Sequence, residues 1–128
     1  MEHKMLPKFR SGKYCQYCDS LTEVTEMRYG DVQSCPKCTA YVSLDINTGE
    51  PKGVVANSEL RRERRALHVV VDKLKRRKIM RSNVSAIKAQ KALYGYMVKQ
   101  LNLEFELNSI AQLSLDETIR IRSILNEI

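Results

Sequence analysis

What this chain lacks narrows its chemistry quickly. It has no apolar run of 18 residues, so no membrane span is expected. Its start, Met1-Glu2-His3-Lys4-Met5-Leu6-Pro7-Lys8, has no long apolar stretch of the kind a signal peptide needs, and the cytoplasm is the expected compartment. There is no glycine-rich phosphate loop, no HExxH helix and no nucleophile elbow. Histidine is scarce, with His3 and His68 only. His68 and Asp72 stand four residues apart, within hydrogen-bonding reach on a helix, but no third catalytic partner presents itself. A lone His–carboxylate pair beside an apolar stripe more often orients a packing contact, and no enzymatic activity is expected.

Cysteine is scarce too, and its placement is the most informative feature. The four cysteines, Cys15, Cys18, Cys35 and Cys38, form two Cys-x-x-Cys pairs. A Cys-x-x-Cys turn aims two sulfurs at one point, and two such turns at this separation complete a tetrahedron. A shell of four thiolates leaves no open coordination position, so one structural zinc ion is expected rather than a catalytic one. The rival readings are weaker. A thioredoxin-like site needs one such pair at a strand–helix junction, and disulfides need an oxidising compartment.

Charge is unevenly spread. The net charge is +7, and residues 57–81, with ten basic residues against three acids, account for all of it. The plain reading of such a run is a solvated helix face, whereas charge gathered in one block marks a surface for a polyanion. Leu60, Leu67, Val70, Val71 and Leu74 recur at helical spacing, and Arg61, Arg62, Arg65, Lys73 and Arg76 fall away from that stripe. Together with Arg77 and Lys78 they are the candidate nucleic-acid contacts. The alternative is a protein-binding regulator that uses the same basic surface against a host protein.

The expected organisation is a basic flexible arm over 1–13, a zinc-ribbon module over 14–53 and a helical lobe over 54–128. Leu21–Met27, Val32–Ser34 and Tyr41–Leu44 suit strands, with a turn at Tyr29-Gly30-Asp31 and a loop over 47–53. Asn57 or Ser58 caps a first helix running to about Lys78; a second follows from Asn83 to Leu101, with Val84, Ile87, Tyr94, Met97, Val98 and Leu101 inward. Leu103–Leu107 alternates apolar and acidic residues and suits a short extended piece, and Ser114 caps a last helix. Tyr14, Tyr17, Tyr29 and Tyr41, interleaved with lysines, could stack on bases but are better explained as cover for a small metal core. The fold class is α+β: a small four-cysteine zinc-ribbon β-hairpin module packed on a three-helix lobe.

The order of these features resembles the bacterial and phage zinc-finger-containing domain family of unknown function. The resemblance rests on Cys15-Gln16-Tyr17-Cys18, Cys35-Pro36-Lys37-Cys38-Thr39-Ala40-Tyr41-Val42, the Pro51–Gly53 turn and Asn57-Ser58-Glu59-Leu60-Arg61. It continues through Arg64-Arg65-Ala66-Leu67-His68, Leu93-Tyr94-Gly95-Tyr96-Met97 and the closing segment Ser109–Leu125. It implies a zinc ribbon with four cysteine ligands followed by a helical lobe, and a phage or prophage origin, but brings no activity with it. Where the family's knuckles often carry glycine after the second cysteine, this chain has Asp19 and Thr39, and its stretch from Lys75 to Gln90 is longer.

Overall fold

The computed structural model describes residues 5–128 and divides the chain into two compact units. The first runs up to Arg61 and takes in Ala111–Ser114; the second holds residues 62–110 and 115–128. The metal-binding unit therefore extends beyond the 14–53 span expected from sequence. It recruits a four-residue piece from far along the chain, which no local signal announces.

The first unit opens with a short helix, α1 (Pro7–Arg10), with Pro7 at a position where its fixed φ suits helix entry. The described portion of the expected flexible arm is thus folded: Arg10 donates to the Gln112 carbonyl at 2.9 Å. Lys8 pairs with Asp19 at 2.6 Å and Lys13 with Glu50 at 2.9 Å. The arm's remaining residues, 1–4, lie outside the described residues. Gly12 has φ +80 and is buried, and a Cβ there would meet the Gly53 carbonyl oxygen at 2.3 Å.

A three-stranded antiparallel sheet follows in the order β1 (Glu23–Met27), β2 (Gly30–Ser34), β3 (Tyr41–Ser43). The register pairs Met27 with Gly30, so the hairpin turns at Arg28-Tyr29, one residue earlier than the sequence suggested, and Gly30 begins the return strand. Thr25 and Ser34 hydroxyls share a hydrogen bond of 2.6 Å on this hairpin. Val32 and Val42 are buried, as is Gln33, whose amide donates to the Thr22 hydroxyl at 2.9 Å. A buried amide needs such a partner to offset its desolvation. Isolated bridges tie Leu44 to Pro51 and Tyr41 to Ala56, returning the chain past the sheet.

The second unit is helical. α2 (Ser58–Ser82) starts in the first unit, where the Asn57 side chain accepts from the Leu60 N–H at 3.0 Å, a standard N-cap. It runs past Lys78 and ends at Asn83, whose φ of 52 breaks the helix. α3 (Ala86–Leu101) is capped by Ser85 rather than Asn83, because Asn83 is spent on the left-handed turn. Asn102, left-handed at φ 54, ends it as its sequence position suggested. Leu103–Leu107 forms no strand and leads to a 3-10 turn (Ile110–Gln112) and α4 (Leu115–Asn126).

Within the second unit Leu67, Val71, Ala89, Met97, Leu101, Leu107, Ile110, Ile121 and Leu125 are buried, and Thr118 joins them. Arg122 donates to Glu63 at 2.6 Å, joining α4 to α2. Ile87, expected inward, is exposed, and Ala89 takes its place in the core. Among the described residues no helix is long and apolar enough to cross a membrane.

Candidate metal centre

Each cysteine pair sits in the same backbone device. In the first, Cys15 N–H donates to the Ser20 carbonyl and Asp19 N–H to the Cys15 carbonyl, both at 2.8 Å. In the second, Cys35 N–H donates to the Ala40 carbonyl at 2.8 Å and Thr39 N–H to the Cys35 carbonyl at 2.9 Å. The two turns repeat each other residue for residue. The residue after each second cysteine is left-handed, Asp19 at φ 50 and Thr39 at φ 64, a conformation glycine adopts most readily. Aspartate enters this region readily; threonine, branched at Cβ, does so only because the knuckle overdetermines it.

These turns bring the four sulfurs to within 4.8 Å of one another, with Cys15 and Cys38 Sγ 3.5 Å apart. Zinc–sulfur bonds of about 2.3 Å in a tetrahedron require sulfurs about 3.8 Å apart, so the cluster has the size the ion needs. No disulfide competes: all four cysteines are free. Tyr17 N–H points at Cys15 Sγ and Lys37 N–H at Cys35 Sγ, each at 3.4 Å, one backbone donor per knuckle to spread thiolate charge. Cys15 and Cys35 are buried, Cys18 is half-buried and Cys38 is exposed.

The unmetallated thiols are unequal. Burial pushes Cys15 up to about 12, and hydrogen bonding to the Cys38 sulfur, then burial, raises Cys18. Burial also works against ionising Cys35, but the N–H groups of Cys38 and Lys37 outweigh it and bring that thiol down to about 7. Cys35 is therefore the sulfur most ready to take a metal at neutral pH, since the thiolate is the ligand.

Around the sulfurs, Ala40, Val42 and Val55 complete a small buried cluster with Cys15 and Cys35, and Ala111 packs against it. Gln16 donates to the Val55 carbonyl at 3.1 Å, and Tyr17 Oη accepts from Asn57 N–H at 3.2 Å. Tyr17 thus braces the knuckle from its rim. Tyr29 plays no such role: at the hairpin tip it is 93% exposed, 5.7 Å from the Arg28 guanidinium. The donor set is four soft thiolates, joined among the described residues by no oxygen or nitrogen donor, which suits zinc held for structure.

A family model for a zinc-finger-containing domain matches residues 11–128. The chain belongs to that family. No curated protein and no solved structure matches it. The four cysteines of this zinc-finger domain are the site of one zinc ion, set beside the unit's buried apolar residues Val32, Val42, Val54, Val55 and Leu60.

The basic residues fare unevenly. Arg62, Arg65, Lys73 and Arg76 are exposed and recur along one side of α2. Among the described residues none of the four has a hydrogen-bond or ion-pair partner. Arg61 is different. It donates to the Ala56 carbonyl at 2.6 Å and its guanidinium lies 4.4 Å from the centre of the Tyr41 ring, so it is committed within the first unit. Arg77 is half-buried, and Lys78 lines a cleft with Leu74, Ala89 and Leu93, on the apolar side of the helix. Arg64 is buried, at 8% exposure, a position the basic run concealed. His68 and Asp72 are both exposed and share no hydrogen bond among the described residues.

Proposed function

We propose that this zinc-finger protein binds nucleic acid through the exposed face of α2. The observation that carries the reading is the set Arg62, Arg65, Lys73 and Arg76: four exposed cations on one side of a helix whose segment holds the chain's entire net charge. Among the described residues no protein anion engages them, so phosphate can. The role is binding rather than catalysis, and a four-thiolate metal site in place of disulfides suits the cytoplasm. The zinc unit supplies a folded start for α2 through the Asn57 cap and the Tyr17 brace.

The test is salt dependence. Removing one phosphate contact lowers the log–log slope of affinity against salt by about 0.9 on duplex DNA. Changing Arg62, Arg65, Lys73 and Arg76 together to Gln leaves the buried residues untouched and lowers that slope by about 3.6 if all four meet phosphates. Glu104→Gln with Glu106→Gln is the control and leaves binding no weaker. If the fourfold variant binds duplex and single-stranded nucleic acid as well as the parent at low salt, the reading fails. Loss of a co-purifying host protein from that variant would then favour a protein-binding regulator.

A further inference from the structure

Four of the exposed cations of α2, Arg62, Arg65, Lys73 and Arg76, are arranged around an apolar centre. Val69 is 69% exposed, four residues from Arg65 and from Lys73 and seven from Arg62 and from Arg76. On a helix these separations bring all five onto one face, with a cation above and below Val69 on each flank. Met80 continues the line at 84% exposure. The buried residues Leu67 and Val71 lie on the other side of the helix. The acid nearest the set is Asp72. It is exposed and stands seven residues after Arg65 and four before Arg76, on their flank of the face.

This pattern selects among occupants. A second copy laid antiparallel about Val69 would set Arg62 against Arg76 and Arg65 against Lys73, opposing like charges on both sides of a single Val69–Val69 contact. A single strand would want stacking platforms, and α2 contains no Phe, Tyr or Trp. A-form RNA has a major groove too deep and narrow for side chains to read. The B-form major groove, about 12 Å wide, admits an α-helix, and there a residue on the centre line meets base edges while its flanking cations meet the phosphate walls. From Arg62 to Arg76 the helix rises about 21 Å, long enough to follow the groove across several base pairs. An apolar side chain at that centre finds one apolar group on base edges, the thymine methyl.

We infer that α2 lies in the major groove of B-form duplex DNA with Val69 against thymine methyl groups. The inference rests on the nucleic-acid reading above and adds the form of the partner and a residue that sets base preference.

The probes are two short duplexes of alternating A·T and alternating A·U deoxynucleotides, which differ only in the methyl and offer it in every register. The zinc-loaded full chain should bind the A·U duplex about fourfold more weakly, the effect of one methyl no longer buried. Val69→Ser, at an exposed site that leaves the core intact, should bind both duplexes equally and keep the parent's salt slope, since every phosphate-binding cation is retained. Equal binding of both duplexes by the parent overturns the Val69 assignment while phosphate binding stands. Tighter binding of duplex RNA or single strands, or capture of an acidic protein instead of DNA, overturns the groove assignment. Failure of the parent to bind any nucleic acid, or unchanged binding by the four-residue Gln variant, overturns the underlying reading as well.

Discussion

Gly53 decides whether residues 111–114 can join the metal-binding unit. A Cβ at Gly53 would stand 2.1 Å from the Ala111 carbonyl oxygen, 2.4 Å from its carbon and 2.7 Å from Gln112 N. All three are backbone atoms, so no side chain can swing aside. Gly53→Ala must therefore push two backbone segments away from each other. That displacement strains the Val54 N–H bond to the Ala111 carbonyl and the Arg10 bond to the Gln112 carbonyl, both 2.9 Å. Forced displacement in a packed interior costs about 1–3 kcal/mol, and each hydrogen bond broken about 1 kcal/mol. A total of about 3 kcal/mol lowers the melting temperature of a chain this size by about 10 °C. The assay is thermal unfolding followed by circular dichroism at fixed free zinc, because bound metal shifts apparent stability. Gly95 is the control: it lies inside α3, and a Cβ there meets nothing within 4 Å. Gly95→Ala should stabilise by about 0.5–1 kcal/mol through helix propensity alone. A Gly53→Ala variant melting within a degree of the parent would refute the close-approach argument.

Other outcomes follow from the same geometry. Zinc must displace protons from Cys15 and Cys18, both raised, and from the fraction of Cys35 still protonated near its value of about 7. Zinc affinity measured by chelator competition should thus fall as pH drops, most steeply below about pH 7, where Cys35 also binds its proton. An affinity independent of pH would contradict a four-thiolate shell. Arg61→Gln should cost about 1–2 kcal/mol by removing the bond to Ala56 and the contact with the Tyr41 ring, whereas Arg62→Gln should leave stability within about 0.5 kcal/mol. Denaturant melts of the two variants separate a structural arginine from a free one, and equal stabilities would refute the distinction.

Those two neighbours show where sequence reasoning succeeds and where it stops. The cysteines were legible because their chemistry and spacing are both local: two turns of fixed length determine where four sulfurs go. The caps at Asn57 and Asn102 were legible for the same reason, since each acts on backbone groups within its own turn of helix. Arg61 and Arg62 both fall off the apolar stripe, and periodicity places them alike. What separates them is the Tyr41 ring, twenty residues back along the chain, brought alongside by the bridge between Tyr41 and Ala56. Arg64 is buried and Ile87 is exposed because of what packs around them, which a helical wheel does not contain. The pairing of Gly53 with Ala111 lies furthest from view, since fifty-eight residues separate the partners and glycine is the only signal either leaves. Val69 stands between these cases. Its separations from four cations were present in the sequence, yet they acquired meaning only when the structure left Val69 exposed and those cations unpaired among the described residues.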